Sequence, residues 1–288
     1  MKPYRSEYIL ASGCRTHVRH WGDPEARMLL MFHGWGDMSA TWQFVVDELK
    51  RDWHVIAPDW RGCGKSDNTG RTYYFPDYLA DIDAVLDHYS PDRAVPVIGH
   101  SMGGNAACLH AGVRPDRVSH LVTLEGLGMP RKLSDQAPDR YADWFRQLRK
   151  PSRYRSYASV SEFAARLRRD NPRLTAVQAG FLAQEFGVAN AQGGVDIALD
   201  PAHKLTNPVL YRVEEAMACW KRITAPVLLV TAEDSREFKD FFPEHSDDFN
   251  QRLAAFANIK RVHIQDSGHN MQHDQPAQIA RLIEEFIP

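Results

Sequence analysis

The chain has 288 residues, enough for one large domain with a substantial core, or one domain with an inserted lid. Its 35 Lys and Arg nearly balance its 37 Asp and Glu, and the isoelectric point near 6.7 excludes a global attraction to nucleic acid or anionic membrane. No apolar run approaches the ~20 residues of a membrane helix, and residues 1–21 lack the apolar centre of a secretory signal.

Four cysteines (Cys14, Cys63, Cys108, Cys219) lie far apart without a C-x-x-C pair and read as reduced thiols. The expectation is a cytoplasmic protein with no membrane or nucleic-acid partner.

Residues 7–10 and 16–21 read as two short strands around the Ser12-Gly13 turn. Residues 28–32 (MLLMF) form an apolar strand running into His33-Gly34-Trp35-Gly36-Asp37. Ser39 can cap a helix over 40–50, whose Trp42, Val45, Val46 and Leu49 recur at helical spacing. A strand over 53–57 precedes the turn-rich loop 58–66, and 78–89 reads as an amphipathic helix. The apolar run Val95, Val97, Ile98 predicts a buried strand; it ends in Gly99-His100-Ser101-Met102-Gly103, and a helix follows over 105–113. A strand over 118–124 ends at Glu125. Strands over 226–231 and 259–264 and a helix over 277–286 close the chain. Strands alternating with helices imply a mostly parallel sheet covered on both faces.

Between 126 and 222 the alternation breaks into arginine-rich helices with no convincing strand. Residues 131–173 hold twelve Lys/Arg against five Asp/Glu. Such a run reads first as a solvated helical face and second as a lid whose basic inner surface favours an anionic substrate. No aromatic-and-basic strand pattern accompanies it, so nucleic acid is not expected.

G-x-S-x-G between a strand and a helix is the context of a nucleophile elbow. The turn strains the serine backbone and needs neighbours without a Cβ, here Gly99 and Gly103. Ser101 then stands clear of the sheet, and the N–H of Met102, at a helix start, can meet a developing oxyanion. The N–H of Trp35, in its glycine loop, is the natural second donor, with the indole walling the pocket.

Serine needs a base, and the base an orienting carboxylate. Of thirteen histidines, His269 sits on the Ser267-Gly268-His269 loop after the final strand, where the elbow architecture puts its base. His273, four residues on, lacks the acidic or cysteine partners of a metal site, so no metal is expected. Two carboxylates compete as the acid: Glu125 at a strand tip and Asp234 just after the strand 226–231. Each could equally be a loop carboxylate capping a helix.

His33-Gly34-Trp35-Gly36, Asp59-Trp60-Arg61-Gly62-Cys63-Gly64-Lys65-Ser66, Gly99-His100-Ser101-Met102-Gly103-Gly104 and Ser267-Gly268-His269 together resemble the signature set of the α/β-hydrolase fold family, in its order and spacing. The likeness covers nearly the whole chain outside the lid and is strongest to serine-hydrolase-like proteins. It implies that the acid commonly lies nine residues beyond the proline opening a late strand. Counting from Pro226 reaches Ser235, and Asp234 falls one short. Glu125 stands where some relatives, among them a class of haloalkane dehalogenases, carry their acid, and many others have a noncatalytic carboxylate there. Glu125 is preferred and Asp234 kept open. Dehalogenases and epoxide hydrolases of this fold use an aspartate nucleophile, so Ser101 argues against both reactions.

The expectation is an α/β-hydrolase fold with core segments 1–125 and 223–288 and a helical lid over 126–222. It would hydrolyse a small carboxylic ester or other acyl substrate through an acyl-enzyme, without a cofactor. Alternatives are C–C bond hydrolysis of a ring-cleavage product, cofactor-free perhydrolysis, or a ligand receptor that has lost turnover.

Overall fold

The computed structural model describes residues 1–288. The chain opens with the hairpin β1 (Tyr4–Ala11) and β2 (Cys14–Trp21). There follow β3 (Arg27–Phe32), α1 (Gln43–Glu48), β4 (Trp53–Pro58), α2 (Phe75–Tyr89), β5 (Val95–His100), α3 (Met102–Val113) and β6 (Val118–Leu124). An excursion adds α4 (Ala137–Arg149), α5 (Val160–Asp170), α6 (Ala176–Phe186), the short strands β7 (Gly187–Ala189) and β8 (Val195–Ile197), and α7 (Val213–Trp220). The chain ends with β9 (Val227–Ala232), α8 (Arg236–Phe241), α9 (Asp247–Leu253), β10 (Ile259–Ile264), α10 (Met271–Asp274) and α11 (Pro276–Phe286).

Eight strands make one sheet in the order β1-β2-β4-β3-β5-β6-β9-β10. The β1–β2 and β2–β4 pairs are antiparallel; every later pair is parallel. Central strands are buried on both faces and therefore read as unbroken apolar runs. Along β3, Leu29 and Met31 join one core while Leu30 and Phe32 join the other; β5 divides Ile98 from Val97 and β6 divides Val122 from Leu121 in the same way. This period of two puts α1 and α11 over one face, through Val45, Val46, Ile279 and Ile283. The opposite face carries α2 and α3, through Ile82, Val85, Leu86, Ala106, Ala107 and Ala111.

Three sequence readings change. Ser39 caps nothing through its side chain: it opens a 3-10 turn, Ser39–Trp42, with its own N–H donated to Asp59 Oδ1 at 2.6 Å. The stretch read as strandless contains the antiparallel β7–β8 hairpin, whose three-residue strands are too short for alternation to register. Finally, α7 packs on α3 with Trp220 fully buried, and a Cβ on Gly112 would collide with the backbone of Cys219. The rest of the excursion, α4–α6 and the hairpin, adds Phe163, Leu182, Phe186 and Val195 to the same core as α2 and α3. It is tied to the opening hairpin by Arg19 Nη2 and Glu185 Oε2 at 2.6 Å. No helix is long and apolar enough to cross a membrane.

Candidate active site

At the C-terminal edge of the sheet, Ser101 occupies the sharp turn between β5 and α3 with φ 50° and ψ −113°. That backbone region disfavours side chains, so the packing must enforce it. A Cβ on Gly99 would lie 2.5 Å from Gly103 C, and one on Gly103 2.6 Å from His33 O. Only glycines let the turn close this tightly. The Ser101 N–H donates to Leu124 O at 2.8 Å, which ties the elbow to the tip of β6.

The residue after that tip, Glu125, also has a positive φ, 54°. Its side chain is fully buried beside an imidazole: His269 Nδ1 lies 2.6 Å from Glu125 Oε2. A carboxylate only accepts, so the proton between the two sits on Nδ1. Two more donors hold the carboxylate, Ala232 N–H on Oε1 at 2.9 Å and Ser235 Oγ on Oε2 at 2.6 Å. Asp234, the other sequence candidate, points elsewhere. It is half exposed, and its Oδ2 pairs with Arg173 Nη2 at 2.5 Å.

Ser101 and His269 are joined through His100. The His100 Nε2–H donates to the carbonyl of His269 at 2.9 Å, and the two rings lie 4.8 Å apart. Burial holds the His100 ring well below the usual histidine range, so it is a neutral strut. Neither Ser101 Oγ nor His269 Nε2 has a hydrogen-bond partner within the chain; before substrate arrives, such groups are commonly slack.

The glycine loop after β3 lies against the elbow, since a Cβ on Gly34 would be 2.8 Å from His100 Nδ1 and 3.4 Å from Ser101 Cβ. Its aim is set by His33. Nε2 of that ring accepts the Trp60 N–H at 3.0 Å, so Nδ1 carries the proton and donates to Gly34 O at 2.8 Å. Burial keeps His33 neutral by lowering its pKa to about 4. Because a trans peptide points its C=O and N–H in opposite directions, pinning the Gly34 carbonyl aims the Trp35 N–H the other way. Neither that N–H nor that of Met102 is spent in a turn, loop or cap bond. Trp35 is 55% exposed, so its indole lies at the open surface of this face.

Behind this face lies a polar cluster that the sequence did not single out. Thr41 Oγ1 meets His273 Nε2 at 2.6 Å and Gln272 Nε2 at 3.1 Å, and Gln272 also reaches Asp37 Oδ2 at 3.5 Å. Burial raises the Asp37 pKa to about 7 and lowers that of His273 to about 4. No group of His, Cys, Asp or Glu is arranged to hold a metal.

Several of the excursion's arginines face solvent in ion pairs: Arg146 with Asp143, Arg155 with Glu162, Arg166 with Asp170. A cleft of about 660 Å³ opens between the β7–β8 hairpin and the Gly64 loop, with Asn68, Arg153, Tyr154 and Pro201 on its walls. None of the nominated catalytic residues lines it.

The family model for the alpha/beta hydrolase fold matches residues 27–276. Among curated relatives, a serine hydrolase-like protein of Danio rerio is 28% identical, covering 93% of this chain and 83% of its own. A putative 2-succinyl-6-hydroxy-2,4-cyclohexadiene-1-carboxylate synthase of Bacillus subtilis is 25% identical over 96% of both. Among solved structures, the thioesterase domain from the curacin biosynthetic pathway superposes with a TM-score of 0.87 at 27% identity, covering 98% of this chain and 99% of that one.

Proposed function

This chain belongs to the α/β-hydrolase fold family, and we propose that it is a serine hydrolase cleaving a small carboxylic ester or thioester through an acyl-enzyme. The observation that carries the reading is the 2.6 Å pairing of His269 Nδ1 with the buried Glu125 carboxylate. It leaves Nε2 as the nitrogen free to act as base, on a residue whose backbone carbonyl His100 ties to the serine elbow.

In this mechanism Ser101 Oγ attacks the acyl carbon as His269 Nε2 takes its proton, forming a tetrahedral oxyanion. The N–H groups of Trp35 and Met102 donate to that oxygen. Collapse breaks the bond to the alcohol or thiol, which leaves with the proton from Nε2. Water, deprotonated by Nε2, then attacks the acyl-enzyme; the acid departs and Ser101 regains its proton. Glu125 orients and stabilises the imidazolium. No step calls for a metal or a cofactor. Thioesters enter because the curacin thioesterase domain shares this architecture over nearly its whole length.

The test pairs a fluorophosphonate probe with nitrophenyl esters and acyl thioesters of graded chain length. The expected result is labelling at Ser101 and turnover of one class, both abolished in Ser101→Ala. Turnover that survives Ser101→Ala would overturn the proposal. The Bacillus relative, named for a carboxylate product, supports a second reading in which the same groups act on a carboxylate-bearing carbon skeleton. Labelling at Ser101 without turnover of either ester class would favour it.

A further inference from the structure

We infer that Ser235 is a positioning residue for catalysis, holding the Glu125 carboxylate in register with His269. The inference rests on the proposed roles of Ser101, His269 and Glu125 and adds a fourth side chain to them. Ser235 is fully buried, and its hydroxyl donates to Glu125 Oε2 at 2.6 Å. That oxygen is the same one that faces His269 Nδ1 at 2.6 Å.

A second observation sets this serine apart. It stands at the N-cap of α8, where a serine side chain ordinarily accepts a backbone N–H of the first turn. Here it caps nothing. Its one proton goes to Glu125 across a sequence separation of 110 residues.

The consequences follow from the geometry. With Ala232 N–H on Oε1, and Ser235 and His269 on Oε2, both carboxylate oxygens are pinned and the group cannot rotate away from the imidazole. The serine proton also withdraws charge from Oε2. Without it the carboxylate becomes the stronger partner of an imidazolium.

Ser235→Ala removes one oxygen from a buried site and leaves the backbone intact. On the ester that the wild type hydrolyses best, the expected result is a fall in kcat of about tenfold at neutral pH with KM nearly unchanged. The acid limb of the kcat profile should move upward by up to about one pH unit. Ser235→Thr keeps the hydroxyl and should return the limb to its wild-type position. A purely structural serine would lower the melting temperature and leave the limb in place. An unshifted limb with near-normal kcat in Ser235→Ala, or a shifted limb in a folded Ser235→Thr, overturns the inference. If Ser101→Ala retains turnover, the proposed chemistry falls and this role with it. If Ser101 is essential and Ser235→Ala behaves as wild type, the positioning role alone falls.

Discussion

Arg173 Nη2 lies 2.5 Å from Asp234 Oδ2, an ion pair that occupies one of the two candidate carboxylates. Asp234 fastens the α5–α6 corner to the loop after β9, with its side chain half exposed. Glu125, with none of its side chain exposed, faces the imidazole. Glu125→Gln should therefore lower kcat roughly 10²–10⁴-fold. Asp234→Asn removes an exposed ion pair, worth about 1 kcal/mol or less, and should leave kcat within a few-fold of wild type. Steady-state kinetics of the two variants on one ester separates the roles. Near-full activity in both would refute the assignment of Glu125.

The same corner carries a second tie. Asn171 Nδ2 donates to Asp274 Oδ1 at 2.6 Å, while Asp274 Oδ2 accepts the Gly268 N–H at 2.8 Å. Asp274 therefore joins the excursion to the loop that carries His269. Asp274→Ala should speed amide exchange across residues 266–270 and lower kcat more than it lowers the melting temperature of the whole chain. Hydrogen exchange with mass readout checks this, and unchanged protection at Gly268 and His269 would show that the tie does no positioning.

Much of this arrangement was legible in the sequence, and the exceptions have physical causes. The elbow, the histidine loop and the glycine loop were readable because each demands particular residues at short spacing. Gly99 has to lack a side chain where β5 meets α3, and Gly103 where α3 meets the end of β3. The parallel strands were readable because burial on both faces makes them continuously apolar. The acid stayed open between Glu125 and Asp234 because the choice depends on side-chain direction across a separation of 144 residues. Ser235 was reached by counting from Pro226, yet only coordinates connect it to Glu125. Asp37 and His273 were visible singly, but their cluster with Thr41 and Gln272 was not, since its members come from opposite ends of the chain.

The elbow's tolerance for bulk offers another test. A Cβ at position 103 would press on the carbonyls of Phe32 and His33, which are backbone atoms at the end of a central strand. They cannot yield without moving the glycine loop that presents the Trp35 N–H. Gly103→Ala should destabilise the protein by about 1–3 kcal/mol, as overpacking in a close-packed core does. Activity should fall by more than the loss of folded protein explains. Gly13→Ala, at a surface turn where the new methyl meets no atom, is the contrast. It carries a φ of +77°, so it should cost about 1 kcal/mol of stability and leave kcat untouched.

Stability should also depend on pH, with opposing contributions that a single variant can separate. Burial lowers the pKa values of His33 and His273 to about 4, whereas an unfolded histidine titrates near 6.5. Protons therefore bind the unfolded chain first as pH falls, and each histidine removes up to about 3 kcal/mol of stability between pH 6.5 and 4. Asp37 acts in the other direction. Burial raises it from 3.8 to about 7, so its folded form keeps a proton that the unfolded chain has released, and stability drops as pH rises from about 4 to 7. Asp59, held well below the usual carboxylate range by its bonds to His17 and Ser39, adds its loss only below about pH 4. Of these groups the two histidines outweigh the one aspartate, so their summed contribution to stability rises with pH up to about 6.5. Asp37→Asn keeps a side-chain acceptor for the Met38 N–H and removes the titration. Its melting temperature relative to wild type should therefore climb from about pH 4 to pH 7 and level off above. A difference that stays flat across that range would mean Asp37 carries no proton in the folded protein at neutral pH.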